Sequence, residues 1–414
     1  MSLLGIDLGT SGVRSGVYTE QGEELASCAA RLELKSDGNR VELDPNALLQ
    51  AVQRVVRETM AFDVVRSDPP AALALSVQGE AVVPINDQGQ ALANAPVSMD
   101  RRGEAVLESF SRLIGPEVFQ QVTGQPLHPM FSIFKIAADA DGSWSKPGTR
   151  YACLDAFLAL QLGAPHVTDS TMAARTGAYD VEGRAWSTKI LQAIGKCSGV
   201  AIDAVSLPHV VEPGDQIGAV SPEAAKRYGL PAGIPIVAGA HDQAASWFGI
   251  GGAANGRSAF ALGTSDCLTF GTPGRPGRLT GTGLATYPFR GDTWVTLAGT
   301  AAGGWALEWL AGLLKEPVAD LFDDLPAAPS PVLVLPYFTG SGTLDNDPRA
   351  RAVLSGLTLE TTRGDLAKAS VEAAGFELAK ILSALEERDL HLGSIVATGG
   401  GASNAAALQA RSDA

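Results

Sequence analysis

The tetrapeptide Leu-Gly-Thr-Ser occurs twice in this chain, at residues 8–11 and again at residues 262–265. A short apolar run precedes each copy and a second one follows it, which is the pattern of a strand, a tight turn and another strand. The repeat therefore predicts two homologous α/β domains. We assign them to residues 1–247 and 248–414, with the glycine-rich segment Phe248–Gly256 as the hinge between them.

The segments between the two copies alternate between helix and strand signals. Apolar residues recur at helical spacing within Asn46–Phe62, which predicts an amphipathic helix. The apolar runs at residues 70–77 and 233–239 are each followed by polar residues and predict buried strands. A β-hairpin followed by alternating helices and strands indicates the α/β class.

Composition and charge exclude several classes of function. Hydrophobic residues make up 45% of the 414 residues, which supplies buried cores and excludes a wholly disordered chain. The 31 basic and 45 acidic residues give a net charge of −14, so the chain lacks the basic surface of a nucleic-acid-binding protein. The two long uncharged runs are residues 325–344 and 390–410, and prolines, glycines or polar residues interrupt both of them. We therefore expect no membrane partner.

The four cysteines are Cys28, Cys153, Cys197 and Cys267, and none of them shows C-x-x-C spacing. Without that spacing, the cysteines suggest neither a zinc site nor a disulfide framework. We therefore expect a reduced, cytoplasmic protein.

The first copy of the repeat has the residues of a phosphate-binding turn. Gly9 lets backbone N–H groups approach an anion closely, and the Thr10 and Ser11 hydroxyls add donors. Asp7 would repel bare phosphate but suits a magnesium ion that accompanies it. The alternative is an ordinary hairpin turn in which Asp7 caps backbone amides. The second copy, at residues 263–265, favours phosphate binding, because two such turns can hold a polyphosphate from both domains.

A third glycine-rich turn, Gly399–Gly401, follows a strand-like run at residues 395–397. A turn without side chains can pass flat against a nucleobase or a ribose, and Ser403 is a candidate N-cap for the segment that follows. Taken alone, the turn is better explained as a plain connection between strand and helix. Its spacing is not the G-x-G-x-x-G dinucleotide fingerprint, so it gives nicotinamide chemistry no support.

Asp242 is the candidate general base. It follows the predicted strand at residues 233–239, and ligands of α/β domains gather at the carboxyl ends of strands. An aspartate there can accept the proton of a hydroxyl group that attacks phosphorus. An N-cap role for Asp242 at the start of the next helix explains the position equally well. We expect the neighbouring His241 to pack or form hydrogen bonds rather than bind a metal.

Two further segments suit a polyhydroxylated substrate. Gln78, Gly79 and Glu80 follow one apolar run, and Asp100 and Arg101 follow another. Carboxylates accept hydrogen bonds from neighbouring hydroxyls, and a guanidinium donates several. The alternative for Asp100 and Arg101 is a surface ion pair, which contributes little to stability.

With these residues in place, the sequence resembles the FGGY family of carbohydrate kinases along nearly its whole length. Residues 6–11 resemble the opening phosphate motif, and residues 98–102 resemble the W-x-D-x-R substrate segment. Residues 239–243 resemble the G-x-x-D-Q catalytic segment. Other family segments match Leu262–Ser265, Gly299–Trp309, Pro336–Leu357 and Gly399–Asn404.

The resemblance implies two actin-like, ribonuclease-H-type domains that flank a nucleotide and sugar cleft. It implies Asp242 as catalytic base, with ATP and Mg²⁺ as cofactors and Asp7 and Asp242 beside the metal. The implied ATP contacts are Asp7, Gly9, Thr10, Ser11, Arg14, Gly263, Thr264, Ser265, Gly399, Gly400, Gly401 and Asn404. The implied sugar contacts are Gln78, Gly79, Glu80, Asp100, Arg101, Asp242 and Gln243.

Three departures from the family pattern bear on the substrate and on activity. Ser98 replaces the expected tryptophan, and Gly79-Glu80 stands where xylulose kinases have Met-His and glycerol kinases have Arg-Glu. The chain also stops where the family continues into another strand and helix, which suggests a missing or shortened end. Residues 123–135 resemble a segment of gluconate kinases.

We therefore expect a kinase that phosphorylates a hydroxyl of a small sugar, with a pentulose such as xylulose as the first candidate. A gluconate kinase or a polyol kinase of the glycerol type is the alternative. A catalytically inactive nucleotide-binding regulator is the alternative of another class, and the presence of Asp242 favours the enzyme. A homodimer is the expected assembly.

Overall fold

The structure is a computed structural model, and it describes residues 1–139, 144, 146, 148–277, 279–300, 303–323, 325–338, 340–347 and 349–414. The family-like segments at 299–309 and 336–357 therefore each include residues outside the described set. The chain forms two compact units. The first consists of Met1–Ala245 and Tyr287–Asp292, and the second consists of Ser246–Thr286 and Thr293–Ala414.

The strands of the first part of the chain are β1 Ser2–Leu8, β2 Gly12–Thr19, β3 Glu24–Arg31, β4 Leu34–Asp37, β5 Arg40–Leu43, β6 Leu73–Val77, β7 Val82–Ile85, β8 Ala95–Pro96, β9 Arg150–Cys153, β10 Val167–Asp169, β11 Tyr179–Asp180, β12 Ala185–Trp186, β13 His209–Val211, β14 Gln216–Ala219 and β15 Pro235–His241. Those that follow are β16 Ser258–Leu262, β17 Asp266–Pro273, β18 Ala285–Arg290, β19 Thr293–Gly299, β20 Leu333–Leu335, β21 Val353–Ser355 and β22 Ile395–Thr398.

The α-helices are α1 Pro45–Met60, α2 Asp63–Ser67, α3 Glu104–Leu113, α4 Pro116–Thr123, α5 Ser132–Ala138, α6 Leu154–Leu162, α7 Ser170–Ala174, α8 Thr188–Ser198, α9 Pro222–Tyr228, α10 Asp242–Gly249, α11 Gly252–Asn255, α12 Gly304–Leu314, α13 Arg363–Glu386 and α14 Ala405–Asp413. Short 3₁₀ helices span Ala204–Ser206, Val318–Phe322 and Gly400–Ser403. Within the described ranges, no helix is both long enough and apolar enough to cross a membrane.

The first unit is built on a sheet whose described strands run in the order β14-β15-β6-β1-β2-β3. Strand β1 pairs antiparallel with β2 through the predicted turn at residues 9–12, and parallel with β6. Strand β15 also runs parallel to β6. The carboxyl ends of β1, β6 and β15 therefore lie at one edge of the sheet, where ligands of α/β domains bind.

Helix α1 forms where apolar residues at helical spacing predict an amphipathic helix. Its apolar residues at helical spacing face the sheet, and Val52, Val55 and Val56 are fully buried in a core shared with Ile6. The predicted start at Asn46 is one residue late. Asp44 caps the helix, because its carboxylate accepts hydrogen bonds from the first-turn N–H groups, at 2.9 Å for Asn46.

The second unit repeats the strand arrangement of the first. Within this unit, the described strands pair in the order β19-β17-β16-β22. Strand β16 pairs antiparallel with β17 through the turn at residues 263–265, and parallel with β22. The relation of β16 to its two neighbours is thus that of β1 to β2 and β6, as the repeated tetrapeptide predicts. Phe260, Leu262 and the long helix α13 share its core.

The glycines of Phe248–Gly256 have identifiable packing roles. Gly251 and Gly256 adopt left-handed conformations, with φ of 80° and 64°, and flank the short helix α11. A side chain at Gly252 would collide with the fully buried Trp247 ring. These roles explain the composition of the segment without any hinge motion, which stays a prediction.

Candidate active site

Three predicted segments meet at one edge of the first unit's sheet. The strand register pairs Leu8 of β1 with Val77 of β6, and Val77 with His241 of β15. The residues that come next along the chain are the first phosphate turn, the segment 78–80 and the segment 242–243. Parallel pairing therefore brings together groups that lie far apart in the sequence.

Asp242 is the first residue of α10, directly after β15, and its side chain is 28% exposed. Desolvation, together with the negative charges of Asp7 and Glu80, raises the pKa of Asp242 to about 7. The Arg175 guanidinium opposes this shift. A carboxylate with such a pKa is poised to accept a proton near neutral pH.

Gln78 holds the first phosphate turn, at residues 9–12, in place. The Gly9 N–H donates to the Gly12 carbonyl at 3.0 Å, which closes the turn. The Thr10 hydroxyl donates to Gln78 Oε1 at 3.2 Å, and Gln78 Nε2 lies 3.4 Å from the Gly9 carbonyl. The Gln78 amide is thus occupied with the turn, whereas Ser11 is exposed at its tip.

Asp7 faces solvent beside the turn, and the Ser76 hydroxyl donates to its Oδ1 at 2.7 Å. The surrounding protein still desolvates the carboxylate and raises the pKa of Asp7, while the Ser76 hydrogen bond and Arg14 lower it. Arg14 is the cross-strand partner of Asp7, but its guanidinium pairs with Glu24 at 2.7 Å. Binding of ATP by Arg14 would require that pair to open.

Glu80 is buried and is held in place by contacts of both its side chain and its backbone. It adopts a left-handed conformation with φ of 63°, which costs free energy for a residue with a side chain. Its carboxylate pairs with the buried Arg175. Its carbonyl accepts hydrogen bonds from the Ser132 hydroxyl at 2.8 Å and from Lys135 Nζ at 3.0 Å. Backbone strain of this kind clusters at functional sites, and three partners hold Glu80 in it, but its contact with the sugar stays a prediction.

The predicted pair of Asp100 and Arg101 has a different arrangement. Arg101 is exposed and bonds Glu104 at 2.7 Å. The fully buried Asp100 carboxylate instead accepts bonds from Arg102, at 2.8 Å from both Nε and Nη2, and from the Val41 N–H. Arg102 is the residue that the sequence interpretation missed. Asp100 supports the loop, and its use by a sugar would compete with these bonds.

Lys135 connects the two substrate segments, because its ammonium donates to the carbonyl of Glu80 and, at 2.6 Å, to that of Val97. The side chain is fully buried, and desolvation lowers the pKa of Lys135 to about 7. We expect Lys135→Met to raise the sugar KM about tenfold, because two buried carbonyls lose their donor at about 1–3 kcal/mol each. ATP affinity should not change.

Steady-state kinetics with each substrate varied in turn checks this expectation. Lys189→Met, at an exposed lysine of α8, is the matched control. A normal sugar KM in Lys135→Met would show that the two segments keep their positions without the lysine.

The second unit contains a pocket of about 280 Å³ that unites two predicted nucleotide motifs. Strands β16 and β22 run parallel, so the turns that follow them lie at the same sheet edge. Gly263 and Thr264 line one side of the pocket, and Gly400, Gly401 and Asn404 line another. Its remaining lining residues are Leu262, Gly304, Leu307, Glu308, Val318, Phe322, Ser403 and Arg411. This mixture of glycines, apolar side chains and polar groups suits a nucleoside.

The other residues of the two glycine-rich turns lie next to the pocket or within its lining. Gly399 has a φ of 81°, and a Cβ there would lie 2.7 Å from the Leu262 carbonyl oxygen. Ser265 is exposed at the tip of its turn. The predicted N-cap at Ser403 is wrong by one residue, because Asn404 Oδ1 accepts the Ala407 N–H at 2.9 Å. A 3₁₀ turn over Gly400–Ser403 shifts the start of α14.

A buried ion pair lies beside this pocket. Asp266 is fully buried, and Arg411 Nη2 is 3.8 Å from its Oδ2. Among the described residues, neither carboxylate oxygen of Asp266 has a hydrogen bond of normal geometry, and neither does Arg411 Nε. Desolvation raises the pKa of Asp266 to about 7, and Arg411 lowers it.

This pair predicts a pH-dependent effect on stability. The folded protein holds a proton on Asp266 up to about pH 7, whereas the unfolded chain releases it near the ordinary value of 3.8, so stability falls as pH rises through this window. We expect Arg411→Met to lower the free energy of unfolding by up to about 3 kcal/mol at about pH 8, where Asp266 is ionised.

At about pH 5 Asp266 is protonated, so we expect Arg411→Met to have little effect or to stabilise. Denaturant unfolding without nucleotide at both pH values measures the difference. An equal loss of stability at both would mean that Arg411 acts through packing alone.

Comparison with known proteins identifies the class to which this fold and these sites belong. Residues 2–249 match the N-terminal domain of the FGGY family of carbohydrate kinases, and residues 258–414 match its C-terminal domain. A glycerol kinase from Alkalilimnicola ehrlichii is 28% identical, in an alignment that covers all of this chain and 85% of the relative. A glycerol kinase from Albidiferax ferrireducens is 30% identical over 94% of this chain and 80% of the relative.

The fold agrees with solved structures. The xylulose kinase from Lactobacillus acidophilus superposes with a TM-score of 0.85 at 22% identity, covering all of this chain and 84% of that one. This confirms the predicted α/β fold with two actin-like, ribonuclease-H-type domains. The protein is a phosphotransferase with an alcohol group as acceptor. The chain belongs to the FGGY family of carbohydrate kinases, which generally use ATP with Mg²⁺.

Proposed function

We propose that this kinase transfers a phosphoryl group from ATP to a hydroxyl of a small sugar, with Asp242 as the base. The observation that carries the proposal is the position of Asp242 at the carboxyl end of β15, where burial and two acidic neighbours raise its pKa to about 7. As the hydroxyl oxygen attacks phosphorus, the Asp242 carboxylate accepts its proton. Gln243 Oε1 is buried without a hydrogen-bond partner among the described residues, which suits it to a substrate hydroxyl.

The same residues fit Mg²⁺. Asp7 and Asp242 are close enough for the charge of one to raise the pKa of the other, and a divalent cation would relieve this repulsion. The described residues contain no cluster of three or more side chains able to hold a metal, so water and phosphate would complete the coordination. When bound, the ion neutralises charge on the phosphates. In this proposal Gly9, Thr10 and Ser11 bind phosphate, and the pocket of the second unit holds the adenosine.

The space around Gly79 bears on the class of substrate. A Cβ at this position would lie 3.0 Å from Cδ2 and Nε2 of the His241 ring and 3.1 Å from Arg175 Cβ. This crowding disfavours the methionine of xylulose kinases as much as the arginine of glycerol kinases, so residue 79 leaves the site open without choosing between the two substrates. The likeness of the fold to a xylulose kinase supports the first of them. We propose a pentulose such as xylulose as the substrate. A glycerol-type polyol is the second candidate, favoured by the relatives and by Glu80.

A coupled assay of ADP formation over a panel of pentuloses, polyols and aldonates tests the proposal. We expect ADP formation with at least one pentulose, and kcat/KM for it above that for glycerol. A higher kcat/KM for glycerol or for an aldonate would overturn the proposed substrate but would still support a kinase. ATP binding without turnover on any of the compounds would favour a nucleotide-binding regulator.

A further inference from the structure

We propose that His241 is a positioning residue that orients the Asp242 carboxylate, and that the Tyr287 hydroxyl fixes the His241 ring from its other side. The inference rests on the proposed role of Asp242 as base. It adds two residues that no motif of the sequence assigns to the reaction.

The contacts of the His241 ring define its orientation. Nε2 lies 3.2 Å from Asp242 Oδ1, and Nδ1 lies 2.9 Å from the hydroxyl of Tyr287. Both His241 and Tyr287 are buried in the first unit. The His241 backbone N–H donates to the Thr171 hydroxyl oxygen at 2.8 Å, which anchors the end of β15.

When Asp242 is ionised, Nε2 lies 3.2 Å from its Oδ1 and carries a hydrogen in either protonation state of the ring. A protonated ring carries hydrogens on both nitrogens. In the neutral ring, the Tyr287 hydroxyl donates to Nδ1, which leaves the hydrogen on Nε2. The opposite tautomer would direct the Nε2 lone pair at the Asp242 carboxylate, which is repulsive. The contact with Asp242 is therefore attractive in both states.

Asp242 needs such a partner because of where it lies. It is the first residue of a helix, and its side chain is partly exposed and so free to change rotamer. The contact of His241 Nε2 with Oδ1 selects one rotamer of Asp242, and it leaves Oδ2 for the substrate hydroxyl. A base misplaced by about 1 Å can lose up to about 10²-fold in rate.

The two amide side chains provide a matched test. The terminal nitrogen of glutamine can occupy the place of His241 Nε2, whereas that of asparagine is too short and corresponds to Nδ1. We expect His241→Asn to lower kcat about tenfold or more, with the sugar KM and the ATP Kd unchanged. We expect His241→Gln to recover most of kcat. A purely structural role would not separate the two variants in this way.

Tyr287→Phe and His209→Asn complete the set. Tyr287→Phe keeps the ring packing and removes the hydroxyl, and we expect a several-fold lower kcat with unchanged KM. His209→Asn makes the same change at an exposed histidine, and activity should not change. Calorimetry of ATP binding and thermal unfolding show whether each variant is folded.

Unchanged kcat in His241→Asn, or equal impairment of the asparagine and glutamine variants, would overturn the inference. If His241→Asn fails to fold, unchanged kcat in Tyr287→Phe overturns it. Failure of the proposed function is a distinct result, because then Asp242→Asn itself would retain turnover.

Discussion

Asp242→Asn is expected to lower kcat by about 10²-fold or more, which is the usual contribution of a positioned general base. Asparagine keeps the size of the side chain and its contact with His241, but it cannot accept the proton of the substrate hydroxyl. Burial and the charges of Asp7 and Glu80 disfavour the carboxylate at position 242. We therefore expect the variant to unfold at the same temperature as the parent protein or at a higher one.

Steady-state kinetics, ATP calorimetry and a thermal melt give the three readouts. Asp203→Asn, at an exposed aspartate of the same unit, is the matched control and should retain activity. A variant with most of the parental kcat would remove Asp242 from the proton transfer. Loss of activity together with a lowered melting temperature would instead point to a structural defect.

Gly263→Val is expected to weaken ATP binding at least about tenfold, which corresponds to about 1.4 kcal/mol, and to leave sugar binding unchanged. Gly263 lines the pocket of the second unit and does not have a left-handed φ. The nearest atom to a Cβ built there is the Ser265 carbonyl oxygen at 3.4 Å. The free protein therefore accommodates a side chain, and the branched valine takes space that the nucleotide needs.

The choice of glycine decides whether this experiment can be interpreted. Gly304 also lines the pocket, but its N–H donates to the Gly263 carbonyl at 2.8 Å, and a Cβ at Gly304 would lie 2.7 Å from that oxygen, so a substitution there would damage the turn itself. Gly277→Val is the matched control, because a Cβ at this exposed loop residue meets nothing within 4 Å and the pocket is elsewhere. Calorimetry with an ATP analogue and with the sugar separates the two affinities. Equal loss of both would indicate misfolding.

The local features of this protein were accessible from its sequence. The repeated tetrapeptide indicated two similar hairpins, because glycine and hydroxyl residues between apolar runs determine a turn through their immediate neighbours. Helix α1 and the strands before residues 78 and 242 followed from apolar periodicity in the same way. Asp242 was found because strand ends in α/β domains collect ligands. Its role and those of the other site residues stay predictions.

The tertiary structure alone decided which charged groups pair. Arg175 pairs with Glu80 across 95 residues of sequence, and the sequence around Arg175 gives no signal of this. Arg102 rather than Arg101 bonds Asp100; the W-x-D-x-R segment already places its arginine at residue 102, but only the fold shows that this arginine is buried against the carboxylate.

The same holds for the groups around the base and the pocket. Tyr287 reaches His241, and Arg411 approaches Asp266, only because strands and helices distant in sequence pack side by side. Turns and periodic faces depend on neighbours along the chain, so the sequence alone determined the hairpins and helix α1, whereas the edge at which the motifs meet depends on the pairing of distant strands. Buried pairs depend on neighbours in space, so only the folded chain determined the partners of Glu80, Asp100, His241 and Asp266.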